Sequence, residues 1–196
     1  MEGATLDGLN FRMSEADPAV ATNIVGMQSP NTTVTNCTFT GAYDIQANNT
    51  TSRAAAISAV SNVVFSNNTV INFRQPAYVS AGSGVIRDNY VDGTRGFVLH
   101  ADSAFEVTGN SFGINAVDIA VIPPEQDGGP VNYDGTALSE ANNNCHVEYK
   151  PEGDDHVIHI NPPVTVDGSG TPEENGQALT QALAGAREGA TLHVAA

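Results

Sequence analysis

What most constrains this chain is a six-residue frame that recurs along its first 112 residues. It is read in Leu6-Asp-Gly-Leu-Asn-Phe11, Val34-Thr-Asn-Cys-Thr-Phe39, Phe65-Ser-Asn-Asn-Thr-Val70, Ile86-Arg-Asp-Asn-Tyr-Val91 and Val107-Thr-Gly-Asn-Ser-Phe112. An apolar residue opens and closes each frame, and a turn-like pair with Asn, Asp or Gly lies inside. The starts fall at 6, 34, 65, 86 and 107, so the steps are 28, 31, 21 and 21 residues. Two equal steps beside longer ones describe stacked coils whose circumference varies by insertion. The expected insertions are Arg12 to Pro18 and Asn48 to Ala55, both polar or small.

A second motif follows the first: Ala42-Tyr-Asp-Ile45, Ala77-Tyr-Val79, Gly96-Phe-Val-Leu99 and Ala116-Val-Asp-Ile119. Each coil therefore holds at least two short strands separated by turns. Strands this short bury no face alone, but stacked in parallel each pairs with its equivalent one coil above, roughly 4.8 Å away. A sandwich needs strands every 8–12 residues with hairpin signals, and Asp92-Gly93 and Asp127-Gly128 do not recur at that interval. The expected fold is all-β, a parallel β-helix. Composition agrees: 19 Asn, 17 Thr and 19 Gly suit strands joined by many turns.

The fourth position of the frame holds Leu9, Cys37, Asn68, Asn89 and Asn110. Three successive coils thus place asparagine at one level, where each amide can donate to the carbonyl of the next. Asn68, Asn89 and Asn110 are expected to form a structural ladder, with Cys37 next in line as a buried thiol. Two cysteines make no disulfide scaffold, and Cys37 and Cys145 read as buried small hydrophobes in preference to one long-range bridge.

On these Asn-containing coils, residues 4 to 122 resemble the right-handed parallel β-helix superfamily, which includes polysaccharide lyases, pectin-modifying hydrolases, alginate epimerases and bacterial surface proteins. The resemblance implies the fold and leaves the activity open, because one architecture hosts many functions.

After Val121 the pattern changes. Residues 123–196 carry net charge −10, against −5 for residues 1–122. Pro123 to Pro130 reads as an exit from the coils. Ala137 to Asn144 suggests a short helix, and Cys145 to Tyr149 and His156 to Ile160 suggest strands. Thr171-Pro-Glu-Glu174 supplies a cap, a proline at the first helical position and a glutamate three after the cap. Leu179, Ala182, Leu183 and Ala186 follow at helical spacing, and Thr191 to Val194 reads as a strand. The strand-helix-strand is similar to the unit that opens many β-helix domains, here at the other end of the chain. The expected organisation is coils over 1–122, an irregular acidic connector over 123–163, and over 164–196 an appendage that caps this solenoid or begins another. Opening on Met1-Glu-Gly-Ala-Thr-Leu6, the chain is expected to be a segment of a longer protein. Leaving the end near Leu6 and Phe11 open predicts end-to-end self-association or poor order over residues 1–11.

Seven basic residues against 22 acidic ones exclude the clustered cations that phosphate backbones demand, so no nucleic-acid partner is expected. Nor is a membrane span, since no apolar run approaches about 18 residues. Asp44 and Asp118 hold similar places in the second motif, but three coils put them about 14 Å apart, beyond the ~5–9.5 Å of glycosidase carboxylate pairs. Asp88 and Asp92 read as turn residues, and His100 as a wall residue. His156 and His159 face opposite ways on a strand, while His146 and Glu148 share a face without a third ligand, so no metal centre is expected. Acidic loops such as Glu152-Gly-Asp-Asp155 can hold calcium weakly, yet none shows a regular ligand spacing; no cofactor is expected. Arg74 and Arg95 are 21 residues apart and should stack one coil apart, with Gln75 and Tyr78 beside them. Two close guanidinium groups call for an anion or a carboxylate between them, which makes Arg74, Arg95 and Tyr78 the candidate contacts for an acidic sugar. No converging acids and base are visible, so no catalytic residue is assigned. The expected function is a non-catalytic structural or adhesive β-helix segment of a secreted bacterial cell-surface protein, contacting carbohydrate or a host or cell-surface glycan. The alternative is a fragment of a β-helix lyase, hydrolase or epimerase acting on acidic polysaccharide.

Overall fold

Each frame folds as two short strands joined by a turn, because its apolar residues alternate with Thr, Ser and Asn, the pattern of a half-buried pleat. A computed structural model describes residues 3–13, 22–58, 60–161, 164–166, 168–185 and 192–194. The first coil comprises β1 (Thr5–Asp7), β2 (Asn10–Arg12) and β3 (Asn23–Met27), and the second β4 (Thr33–Thr35), β5 (Thr38–Thr40) and β6 (Arg53–Ile57). The third holds β7 (Val60–Ser66), β8 (Thr69–Ile71) and β9 (Gln75–Val79). The fourth holds β10 (Gly82–Arg87), β11 (Tyr90–Asp92) and β12 (Phe97–His100), and the fifth β13 (Ala104–Thr108), β14 (Ser111–Phe112) and β15 (Ile119–Ile122). Equivalent strands pair in parallel from coil to coil, making three sheets around one core. This is the parallel β-helix that the repeat predicts, with three strands per turn.

The register follows the frame. Its opening residues pair as Leu6, Val34, Phe65, Ile86 and Val107, and its closing residues as Phe11, Phe39, Val70, Val91 and Phe112. Val34, Phe65, Ile86, Phe39, Val70 and Val91 are fully buried. Between the two strands, the third position is Gly8, Asn36, Asn67, Asp88 or Gly109, each left-handed with φ of 53–67°. Only Gly, Asn and Asp take that conformation readily, which explains the restricted alphabet there.

The second motif divides. Tyr78 and Val79 pair with Val98 and Leu99, as the repeat implies, but Ile119 pairs with Phe97 and Val121 with Leu99, so the strand lies two residues beyond the Ala116 to Ile119 match. Ala42 to Ile45 does not belong: Ala77 and Val79 pair instead with Ala55 and Ile57 of β6. The inserted segment of the second coil therefore precedes Arg53 and contains Asp44, while Ala54 and Ala55 are fully buried strand residues. The match failed because Ala-Tyr-Asp-Ile mimics the apolar content of the motif without its position in the stack. Of the first-coil insertion expected over Arg12 to Pro18, Arg12 closes β2 and residues 14–18 lie outside the described residues.

The third sheet continues past residue 122. After α1 (Gly135–Ala141), β16 (Val147–Tyr149) pairs in parallel with β15, and β17 (Ile158–Ile160) adds antiparallel to β16. His156 lies in a 3-10 turn, Asp154–His156, ahead of β17 and not in a strand with His159. Asp134 caps α1 by accepting from the Ala137 N–H at 2.9 Å, and Leu138 joins the core. Thus α1 covers the last coil. The C-terminal unit has β18 (Val164–Val166) parallel to β19 (Leu192–Val194), joined through α2 (Pro172–Gly185). Its capping box forms: the Thr171 N–H donates to Glu174 Oε2 at 2.8 Å and the Glu174 N–H to Thr171 Oγ1 at 3.3 Å. Along its apolar stripe Leu179 is half-buried and Leu183 59% exposed, while Ala186 lies outside the described residues.

Candidate functional site

The asparagine ladder fixes the wall that carries the site. Asn68 donates its side-chain amide to Asn89 Oδ1 at 3.1 Å, and Asn89 to Asn110 Oδ1 at 2.9 Å. Each Oδ1 also accepts a backbone N–H from the preceding coil: Cys37 to Asn68, Asn68 to Asn89, Asn89 to Asn110. Asn142, the C-cap of α1, was not legible as a rung, yet it accepts from the Asn110 amide at 2.8 Å and donates to Val107 O. A shorter ladder runs nearby, with Asn115 Oδ1 accepting from both the Thr94 N–H and its hydroxyl at 2.9 Å. Cys37 is buried at the foot of the main ladder with its thiol turned to Thr35 O, and no disulfide joins Cys37 to Cys145.

The outer face of the third sheet carries the chemistry. Inward residues of that sheet, such as Val79, Leu99 and Val121, fill the core, so Tyr78, Val98, Ala120 and Glu148 point outward in one row. Val98, Ala120 and Val117 are buried although they face away from the core, forming a second apolar cluster with Tyr78 and Ile122. They floor a groove of about 200 Å³ whose rim is Arg74, Arg95 and Gln75 on one side and Glu148 and Lys150 at the far end. Arg74 and Arg95 lie one coil apart, the Arg95 N–H donating to Arg74 O at 2.8 Å. Arg74 also borders a second depression of about 170 Å³ lined by Asn48, Asn49, Thr50 and Thr51 of the inserted segment.

The cations differ in how they are neutralised. Lys150 is held by Asp154 at 2.8 Å and Glu148 at 3.6 Å. Arg53 stacks on the Tyr78 ring, 3.8 Å from its centroid, and donates to Gln75 Oε1 at 2.7 Å. Among the described residues no carboxylate lies within ion-pair distance of Arg74 or Arg95. Burial pushes the Tyr43 phenol up, opposed by these same two arginines.

Tyr78, Arg74 and Arg95 are thus gathered around one groove. Beyond it, Tyr78 Oη meets His100 Nε2 at 2.8 Å, His100 Nδ1 meets Pro123 O at 2.8 Å, and Glu125 lies 3.2 Å from Nε2. Because a carbonyl only accepts, Nδ1 carries the proton. Burial raises the Tyr78 phenol; Arg53 opposes this and Glu125 adds to it. Val98, Ala120, Glu148 and Lys150 escaped sequence reasoning: outward apolar residues look like any strand residue, and the excursion over 123–146 breaks the coil period before β16.

With the three parallel sheets and their ladder in view, the family profile described as a right handed beta helix region matches residues 4–148. The chain belongs to the right-handed β-helix family. Its match ends within β16, so the strand that closes the groove lies inside the β-helix. No curated protein and no solved structure matches the chain.

Other candidates separate in this β-helix. Asp44 sits in the inserted turn, accepting from the Gln46 N–H at 2.8 Å, so it shares no level with Asp118. Asp118 is buried, accepting from the Asn115 amide at 3.1 Å and the His146 N–H at 2.9 Å. Asp88 occupies a left-handed turn position and Asp92 accepts from the Ile114 N–H at 2.7 Å, both as turn residues. Among the described residues no group of three or more His, Cys, Asp or Glu side chains is gathered as a metal site, and no helix is long and apolar enough to cross a membrane.

Proposed function

We propose that this β-helix is a non-catalytic, ligand-displaying segment of an extracellular, cell-surface protein, holding acidic carbohydrate in the groove of the third sheet. One observation carries the reading. In a chain of net charge −15, two arginines without a carboxylate partner among the described residues stand one coil apart over an apolar floor. Guanidinium groups suit planar carboxylates and sulfates, while the floor and the Tyr78 ring suit the apolar face of a sugar. A glycan array with the full chain tests it, followed by titration of each hit against Arg74→Gln/Arg95→Gln. The expected result is binding confined to acidic glycans and weakened at least tenfold by the double substitution. Absence of binding, or binding indifferent to both changes, refutes it.

The Tyr78–His100–Glu125 contacts favour a second reading, a lyase, hydrolase or epimerase acting on acidic polysaccharide. A proton-carrying phenol bonded to imidazole beside a cationic groove is an arrangement for acid–base work. Turnover of a uronic-acid polymer, abolished by Tyr78→Phe, supports that reading over the first.

A further inference from the structure

The strongest unassigned feature lies at the far edge of the third sheet, away from the groove's arginines. His146 precedes β16 and is 6% exposed, while His159 sits exposed on β17, the antiparallel edge strand. Their rings stack at 23° with centroids 5.5 Å apart, and His146 Nε2 lies 3.3 Å from His159 Nδ1. That separation is a long hydrogen bond when one of the two nitrogens carries the proton. It matches the edge of a tetrahedron around a metal bound at 2.0–2.1 Å by imidazole nitrogen, about 3.3 Å.

From this geometry we propose that His146 and His159 form a two-histidine site for a borderline divalent transition metal, with water completing the coordination. His146 is held in place from behind: its N–H donates to the buried Asp118 carboxylate at 2.9 Å, and its carbonyl accepts the Asp118 and Ile119 N–H groups at 3.2 Å. Glu148, in register opposite His159, adds negative charge beside the pair. His159 is open to solvent, so an ion can enter. The metal would bridge β16 and β17, tying down a strand whose Ile158 is 58% exposed. Neutral imidazole suits zinc, nickel and copper better than calcium or magnesium.

Zinc titration of the full chain by calorimetry, with amide exchange over 158–160, tests the site. One equivalent of Zn²⁺ is expected to bind, slowing exchange at 158–160 and raising the melting temperature. His159→Ala, on an exposed edge strand that leaves the core intact, should weaken binding at least tenfold and abolish the zinc effect on exchange. His156→Ala, three residues earlier in the 3-10 turn, should change neither. Absence of saturable binding up to millimolar Zn²⁺, or binding that survives His159→Ala, overturns the proposal.

Discussion

Replacing Asn89 by alanine isolates the contribution of the ladder. Asn89 is 1% exposed and makes four side-chain hydrogen bonds. Its Oδ1 accepts the Asn68 N–H at 2.9 Å and the Asn68 amide at 3.1 Å; its amide donates to Asn110 Oδ1 at 2.9 Å and Phe65 O at 3.0 Å. Truncation strands the buried Asn68 N–H, at about 1–3 kcal/mol, and removes three further bonds of about 1 kcal/mol net each. Allowing for partial rearrangement, Asn89→Ala should cost about 3–5 kcal/mol, a large part of the 5–15 kcal/mol typical of a domain. Asn89→Asp sharpens the test. It keeps the acceptor but sets a carboxyl oxygen against Asn110 Oδ1 and Phe65 O, so the buried acid should hold a proton. Its folded pKa then exceeds the unfolded value near 3.9, so stability is greatest at low pH and falls as pH rises through the folded pKa, by at most about 1.4 kcal/mol per unit. Urea denaturation at pH 5 and 7 reads both effects. A loss below about 1 kcal/mol for Asn89→Ala, or a pH-independent penalty for Asn89→Asp, refutes the argument.

Gly84→Ala should destabilise by at least about 2 kcal/mol in the same assay, because the added methyl would lie 2.1 Å from Val63 O, backbone that moves only with the coil. At exposed Asn67, with φ 53°, valine should cost about 1–2 kcal/mol and glycine almost nothing, since the penalty is that of the left-handed backbone alone. Burial raises the phenols of Tyr43, Tyr78, Tyr133 and Tyr149. Stability should therefore be full below pH 10 and fall as pH rises through the raised pKa values, and Tyr133→Phe, which removes a buried phenol bonded to Ser103 and the Phe105 N–H, should blunt the fall seen in alkaline melts.

The first two strands of every coil were legible because their sterics are local. Each frame needs an inward apolar residue, a left-handed Gly, Asn or Asp and, from the second coil on, a small buried rung, and these needs recur at the coil period. The third strand was legible only where its spacing is unbroken: Tyr78 and Val98 fell into line, whereas Val121 took the place expected of Ile119 and Ala42 to Ile45 displaced Arg53 to Ile57. Asn142 and Lys150 stayed hidden because the 123–146 excursion resets the count. What places Asn142 under Asn110 is the capped helix α1, whose landing on the last coil is a matter of tertiary packing. The His146–His159 contact escaped for a related reason, since antiparallel return of β17 sets together residues whose sequence spacing carries no strand period.

The groove follows from the same stacking. In a solenoid, an outward row one coil deep is as ordered as an inward one, because both ride on the same ladder of backbone bonds. Short side chains at Val98 and Ala120 leave a trough between longer neighbours, and Arg74 and Arg95 rise at its side at the interval of one coil. Like charges one coil apart repel, and no carboxylate among the described residues relieves them. Lys150, facing the same trough, is compensated twice over by Glu148 and Asp154. The contrast supports the proposal that a bound anionic ligand supplies the arginine pair's counter-charge. If instead the repulsion serves nothing, Arg95→Gln should stabilise the free protein without loss of any ligand.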